Sequence, residues 1–234
     1  MELIDAYADL QTQARKLTKD YSVSVVLVGD NSDADVKEHT TGVITRNPAL
    51  ILRMTKQVLL PLRQMAKYLF VIRGTPAHVG KEGHFEEQLG EALEAERTPD
   101  GDYSWWRLET DFFGPKLDIG HKVGRGILAA IRLANQTVLD YTNLKQAVPQ
   151  YVFRGHQHAF VDTKDIVPAC RVITLPCFQG PTDYIAGDKL SPAAPDIGGV
   201  IMLIDGPEVQ IVPILYPFKK ANEVWQPNVK RKSN

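Results

Sequence analysis

Four short stretches of this 234-residue chain set a glycine beside a side chain that can hold a cation or move a proton. They are Gly29-Asp30, Gly74-Thr75 followed by His78, Gly120-His121, and Gly155-His156 followed by His158. Neutral imidazoles and a carboxylate are ligands for borderline divalent metals such as manganese, iron, nickel or zinc, and a carboxylate can bridge two ions where a histidine cannot. Two ions about 3.5 to 4 Å apart would bind a phosphate and activate a water for in-line attack. Any one of these histidines alone reads as a surface residue or a satisfied core imidazole. Four stretches with one layout, using four of the six histidines, point to a single shared site.

The elements that must position these residues follow from periodicity. Leu3, Tyr7, Leu10, Ala14 and Leu17 share one helical face, which predicts an opening helix over 2–21. The β-branched run from Ser22 to Val28 is a buried strand that delivers Asp30 at its carboxyl end. Asn47-Pro48 starts a helix to about Lys67, which Pro61 is expected to kink or divide, and Tyr68 to Ile72 is the next strand. Helical composition over 85–97, exposed β structure over 103–113 and a strand from Lys116 to Ile119 come next, then an amphipathic helix over 127–144. Strands at 151–154, 170–175, 199–205 and 209–215 complete the chain, with a Pro- and Gly-rich loop over 179–199. Each candidate residue thus stands just past a strand, where ligands collect in open α/β sheets.

Composition bounds the alternatives. With 27 Lys+Arg against 28 Asp+Glu and 44% hydrophobic residues, the chain has the make-up of a globular protein with no global field toward nucleic acid or anionic membrane. One domain over 1–234 is expected, with a basic tail over 228–234. No stretch approaches a membrane span or a signal peptide, so a soluble cytoplasmic protein without a membrane partner is expected. Cys170 and Cys177 suit free thiols in a reducing compartment better than a zinc site or a disulfide framework.

The ordered motifs resemble the calcineurin-like metallophosphoesterases, and among them the phage and prophage branch. Gly29-Asp30-Asn31-Ser32-Asp33 is similar to that family's GDxxD, and Gly155-His156-Gln157-His158 to its GHxH, with His121 between them where the family has an isolated metal-binding histidine. The resemblance implies an α/β fold, a two-sheet β sandwich flanked by helices. It implies metal ligation by Asp30, as the bridge, with His121, His156 and His158, and Asp33 in support. It also implies divalent metal cofactors, manganese first, with iron, nickel, zinc or magnesium as alternatives. The activity implied is phosphoester hydrolysis of phosphodiesterase, nuclease or phosphatase type, on a substrate that could be a nucleotide or nucleic acid.

Two departures qualify this. Thr75 stands where the family has a metal-binding asparagine, in Gly74-Thr75-Pro76-Ala77-His78, and the candidate general acid shifts to His78. His84 and His39 are alternatives better read as surface residues. The family's initial DxH motif has no counterpart, since no Asp is followed two positions later by His. A first strand and its loop are therefore expected to be missing, with one metal kept by Asp30, His121 and His156 and the other left to Asp30 and His158. Weak activity, or none, follows, and so does a sheet edge open to self-association or to a partner. The rival reading is a non-catalytic structural or assembly protein.

Other motifs carry less. Arg73 and Arg154, each before a site glycine, could fork onto a substrate phosphate, although arginines at strand ends more often pair with acids. Trp105-Trp106 with Tyr103, Phe112 and Phe113 could stack bases, but such runs usually pack in a core or interface. Gly124-Arg125-Gly126 reads as an ordinary helix entry, and Lys230-Arg231-Lys232 as a solvated terminus.

Overall fold

The computed structural model describes residues 2–32, 44–80, 83–180 and 195–217. The basic run at 230–232 lies outside them. Helix α1 (Leu3–Leu17) leads into β1 (Ser24–Val28), α2 (Pro48–Met65) and β2 (Tyr68–Ile72). After these come α3 (Pro76–Val79), α4 (His84–Ala92), β3 (Arg107–Thr110), β4 (Leu117–Gly120) and α5 (Gly126–Asn143). Then follow β5 (Tyr151–Arg154), β6 (Val161–Asp162), a 3₁₀ turn (Lys164–Ile166), β7 (Arg171–Thr174), β8 (Ile197–Asp205) and β9 (Glu208–Tyr216).

Two β layers face each other across one apolar core. Strands alternate their side chains between faces, so Val26, Val28, Phe70 and Ile72 point inward onto Ile119, Phe153 and Ile173 of the opposite layer. Their neighbours Leu27, Leu69 and Val71 point outward, where Ile51 of α2 and Phe85 and Leu89 of α4 cover them. The second layer is built likewise: Val152 and Val172 turn outward to pack under Ala130 and Ala134 of α5. Burial on both faces explains why these strands read as continuous apolar runs. The expected α/β architecture, a two-sheet sandwich flanked by helices, is the one observed.

Within the layers, β1 pairs in parallel with β2, while the second sheet runs β3-β4-β5-β7-β6 with β4, β5 and β7 parallel. Val28 pairs with Ile72, Gly120 with Arg154, and Arg154 with Thr174, so the parallel strands finish in step at their carboxyl ends. The hairpin β8-β9 packs Val200, Met202 and Ile211 on the same core. Among the described residues β1 pairs only with β2, and β8 forms its ladder only with β9.

Several boundaries differ from the sequence expectation for local reasons. Asn47 caps α2 as expected, its side chain accepting from the amides of Ala49 and Leu50, but the helix runs unbroken through Pro61. Leu59 and Leu62, on either side of that proline, pack on the core and hold the helix in line. Helix α4 stops at Ala92 rather than Arg97 because Glu94 takes a left-handed φ of 54°. The 103–113 segment is a strand only over Arg107–Thr110; before it, Trp105 bridges to Ile72 as the chain crosses between layers. Strand β8 begins at Ile197, inside the expected loop. Cys170 and Cys177 are both free, and burial raises each thiol to about 11. No described helix is long and apolar enough to cross a membrane.

Candidate metal centre

The strand ends of both layers meet at one point. The carbonyl of Val28, the last residue of β1, lies 2.7 Å from His121 Nδ1, just past β4. A carbonyl can only accept, so Nδ1 carries the proton and Nε2 is turned toward Asp30 Oδ2, 2.9 Å away. Nε2 is buried and has no well-directed hydrogen bond among the described residues. His156 completes the group: its ring stands 5.2 Å from that of His121, centroid to centroid, and one ligand atom from each of Asp30, His121 and His156 lies within 4.8 Å of the others.

Three glycines make this approach possible, among them Gly155, where a Cβ would sit 2.9 Å from the Val28 carbonyl oxygen. Gly29 has a φ of 73°, and a Cβ there would sit 2.5 Å from His121 Nδ1. At Gly74 a Cβ would run into the carboxylate and amide of Asp30. Gly120 has ordinary clearance, so there the glycine answers no steric demand. Asp30, His156 and His158 themselves adopt left-handed φ values of 51°, 67° and 54°, at some cost in backbone strain.

Electrostatics prepare the ligands. Burial would raise the Asp30 carboxyl, but the His121 ring and the Thr75 amide outweigh it and hold the group below its ordinary value, ionised. Burial would lower His121, but the Asp30 carboxylate and the Val28 carbonyl push it up, so without a cation it keeps a second proton beyond the usual histidine range. His156 is lowered by burial and by the neighbouring His121, and His158 by burial and the surrounding imidazoles, which leaves both neutral at pH 7. One ionised carboxylate and two imidazoles, one with a buried undirected nitrogen, form a donor set that fits a divalent cation.

Other sequence candidates take different positions. Thr75 is buried and donates to Asp30, its amide at 2.6 Å and its hydroxyl at 3.1 and 3.2 Å from the two carboxylate oxygens, so it fixes the carboxylate. His158 is near enough to feel the charges of Asp30, His156 and His78 but stands outside the three-residue cluster. His78, on α3, is within electrostatic reach of Asp30. His84 is exposed at the start of α4. Asp33 and His39 lie outside the described residues.

The arginines pair with acids. Arg73 meets Asp102 at 2.9 Å and Ser104 at 2.8 Å, with Glu87 3.5 Å away. Arg154 meets Asp118 at 2.9 Å. Both line a cavity of about 250 Å³ that His121 also lines.

Two residues of consequence went unremarked in the sequence. Asp118 is the fully buried counter-ion of both Arg154 and Arg107. Glu86 of α4 is fully buried beneath the site, and burial lifts it to about 7 while the amides of Gly74 and Asn31 pull the other way. A glutamate in a first helical turn normally signals dipole compensation in solvent, so nothing in the sequence distinguished it.

No family model and no curated protein matches the chain. Among solved structures it is similar to a Thermotoga maritima protein determined by NMR, at 14% identity and a TM-score of 0.40, over 89% of this chain and 90% of that one. It is also similar to wild-type Vps29 of Entamoeba histolytica in complex with zinc, at 14% identity and a TM-score of 0.42, over 82% and 98%. A third is a conserved uncharacterised protein of Streptococcus pneumoniae described as a predicted phosphoesterase, at 15% identity and a TM-score of 0.41, over 83% and 92%. At this level of likeness the chemistry of the chain has to be read from its own site.

Proposed function

We propose that this chain is a divalent-metal-dependent phosphoester hydrolase of the calcineurin-like type. The observation that carries the reading is the convergence of Asp30, His121 and His156 within 4.8 Å, with His121 Nε2 2.9 Å from an Asp30 carboxylate oxygen. These three residues would hold the cation, manganese first, with iron, nickel, zinc or magnesium as alternatives; His158 would serve a second ion from the rim. A bound divalent ion supplies Lewis acidity and lowers the pKa of water for attack on phosphorus. The chain's own groups do the rest. Thr75 holds the Asp30 carboxylate in place, and His78 would serve as the general acid toward the leaving oxygen. The buried walls around His121 keep its Nε2 from bulk water.

The test pairs metal content by mass spectrometry with hydrolysis of bis-p-nitrophenyl phosphate in manganese, for wild type and His156→Ala. His156 is exposed, so the variant should fold normally. We expect bound metal and slow turnover in the wild type, and loss of both in the variant. Metal-free, inactive wild-type protein would sink the proposal.

A second reading rests on β1, whose outer edge has no strand partner among the described residues. Unpaired strand edges recruit other chains. As a non-catalytic assembly protein, or in addition to catalysis, the chain would self-associate or take a partner's strand through this edge. Size-exclusion chromatography with light scattering is expected to show a mass above 26.1 kDa, that of a single chain. A monodisperse monomer would count against self-association.

A further inference from the structure

The pair Trp105-Trp106 is split by the chain's crossing between layers. Trp105 turns inward, packing edge-on against Phe70 and donating from its indole N–H to the Glu96 carbonyl at 3.0 Å. Trp106 turns outward and is 59% exposed. Its ring lies over the Arg73 guanidinium, 4.9 Å from the ring centroid. That guanidinium is itself fixed by Asp102, Ser104 and Glu87. The indole therefore rests on a rigid cationic support and stands ready to stack.

The same cavity of about 250 Å³ reaches from Trp106 to His121 of the metal centre, with Arg107, Lys122 and Arg154 in its walls. Arg73, Arg107 and Arg154 already face carboxylates, so the wall is not a strong anion site on charge alone. An anionic group is better placed at the metal centre, which leaves the Trp106 end for a flat, uncharged one. A phosphoester that also carries a planar heterocycle meets both requirements. The volume is slightly below the usual range of about 300 to 1,000 Å³ for ligand clefts, which suits a single nucleoside unit rather than several.

We infer that Trp106 is a base-stacking platform and that the substrate class of this site is the nucleoside phosphoesters, the nucleobase lying on the indole while the phosphate meets the metal centre. This rests on the hydrolase reading for its phosphate end only. Stacking reads a π-face that every base has, so the platform selects for the presence of a base and not for its identity.

The test titrates AMP and ribose 5-phosphate calorimetrically into metal-free and manganese-loaded protein, for wild type, Trp106→Leu and Trp106→Phe. Wild type is expected to bind AMP on the order of tenfold more tightly than ribose 5-phosphate in both forms. Trp106→Leu should erase that difference with the affinity for ribose 5-phosphate unchanged, and Trp106→Phe should keep most of it. Circular dichroism checks that the surface substitutions leave the fold intact. The inference is overturned if AMP and ribose 5-phosphate bind alike to wild type, if neither binds, or if Trp106→Leu retains the preference. Manganese binding without a preference for AMP would refute the platform and leave the hydrolase reading standing. A preference for AMP in protein that takes up no manganese would do the reverse.

Discussion

Asp30→Asn is expected to weaken divalent-metal binding by more than about 100-fold and to lower the pKa of His121, with the fold preserved. Loss of a partner one shell out from a metal typically costs 10- to 100-fold in affinity, and Asp30 is the one carboxylate of the cluster. Asparagine is a near isostere that tolerates the left-handed φ of 51° and can still accept the Thr75 amide, so the loss is one of charge and not of shape. The second readout follows from sign. Burial alone lowers His121, and the Asp30 carboxylate is the main influence that lifts it. With the carboxylate neutralised, burial prevails, and the imidazole should titrate below the ordinary histidine range when followed by NMR without metal.

The same balance sets the pH dependence of metal binding in the wild type. A cation must displace the extra proton that His121 keeps, so affinity should fall as pH drops through that raised pKa and level off above it. His156 and His158, both lowered, are neutral before that point and should add little to the slope. Manganese binding by Asp30→Asn close to that of the wild type, or an unmoved His121, would remove Asp30 from the centre.

The site was legible wherever its logic is local. A short apolar strand followed by glycine and a polar residue is a short-range pattern, and it put Asp30, His121 and His156 at strand ends that the packing of the two layers then brought together. Interactions between distant segments left no such trace. Thr75 stands where the resemblance suggests a ligand, yet its amide and hydroxyl meet Asp30 across 45 residues, a contact settled only when β1 and β2 pair. Glu86 reads as a helix-start acid until α4 packs it under Gly74 and Asn31. For Arg73 and Arg154, pairing with acids was already the more common outcome for arginines at strand ends, though nothing in the chain said which acids. Helix α2 shows the converse, where tertiary packing on both sides of Pro61 overrides a strong local signal.

Asp118 carries the largest structural effect. Its carboxylate is fully buried and takes two hydrogen bonds from Arg107, at 2.8 and 2.7 Å, and one from Arg154 at 2.9 Å. Arg107 is about half exposed and also meets Glu109, so solvent can take over part of its charge. Arg154 is buried, and Asp118 is its one acidic partner among the described residues. Neutralising a buried acid that holds a buried arginine typically costs about 3 to 5 kcal/mol, because the remaining charge is left uncompensated. Asp118→Asn is expected to lose that much in urea unfolding at pH 7. Burial raises the Asp118 carboxyl, but Arg107 and Arg154 outweigh it and the net shift is downward. Its contribution to stability is therefore complete above the unfolded carboxyl value, about 3.9, and is lost as pH falls through the lower folded one. The gap between wild type and variant should accordingly be wide at neutral pH and close in strong acid. Arg154 immediately precedes Gly155-His156, and Asp118 lies in the strand that ends before His121, so this ion cluster also sets the spacing of two proposed ligands. Metal affinity should fall with stability in the same variant. Asp118→Asn with wild-type stability and wild-type metal affinity would show that the strand ends are held by their backbone ladder alone.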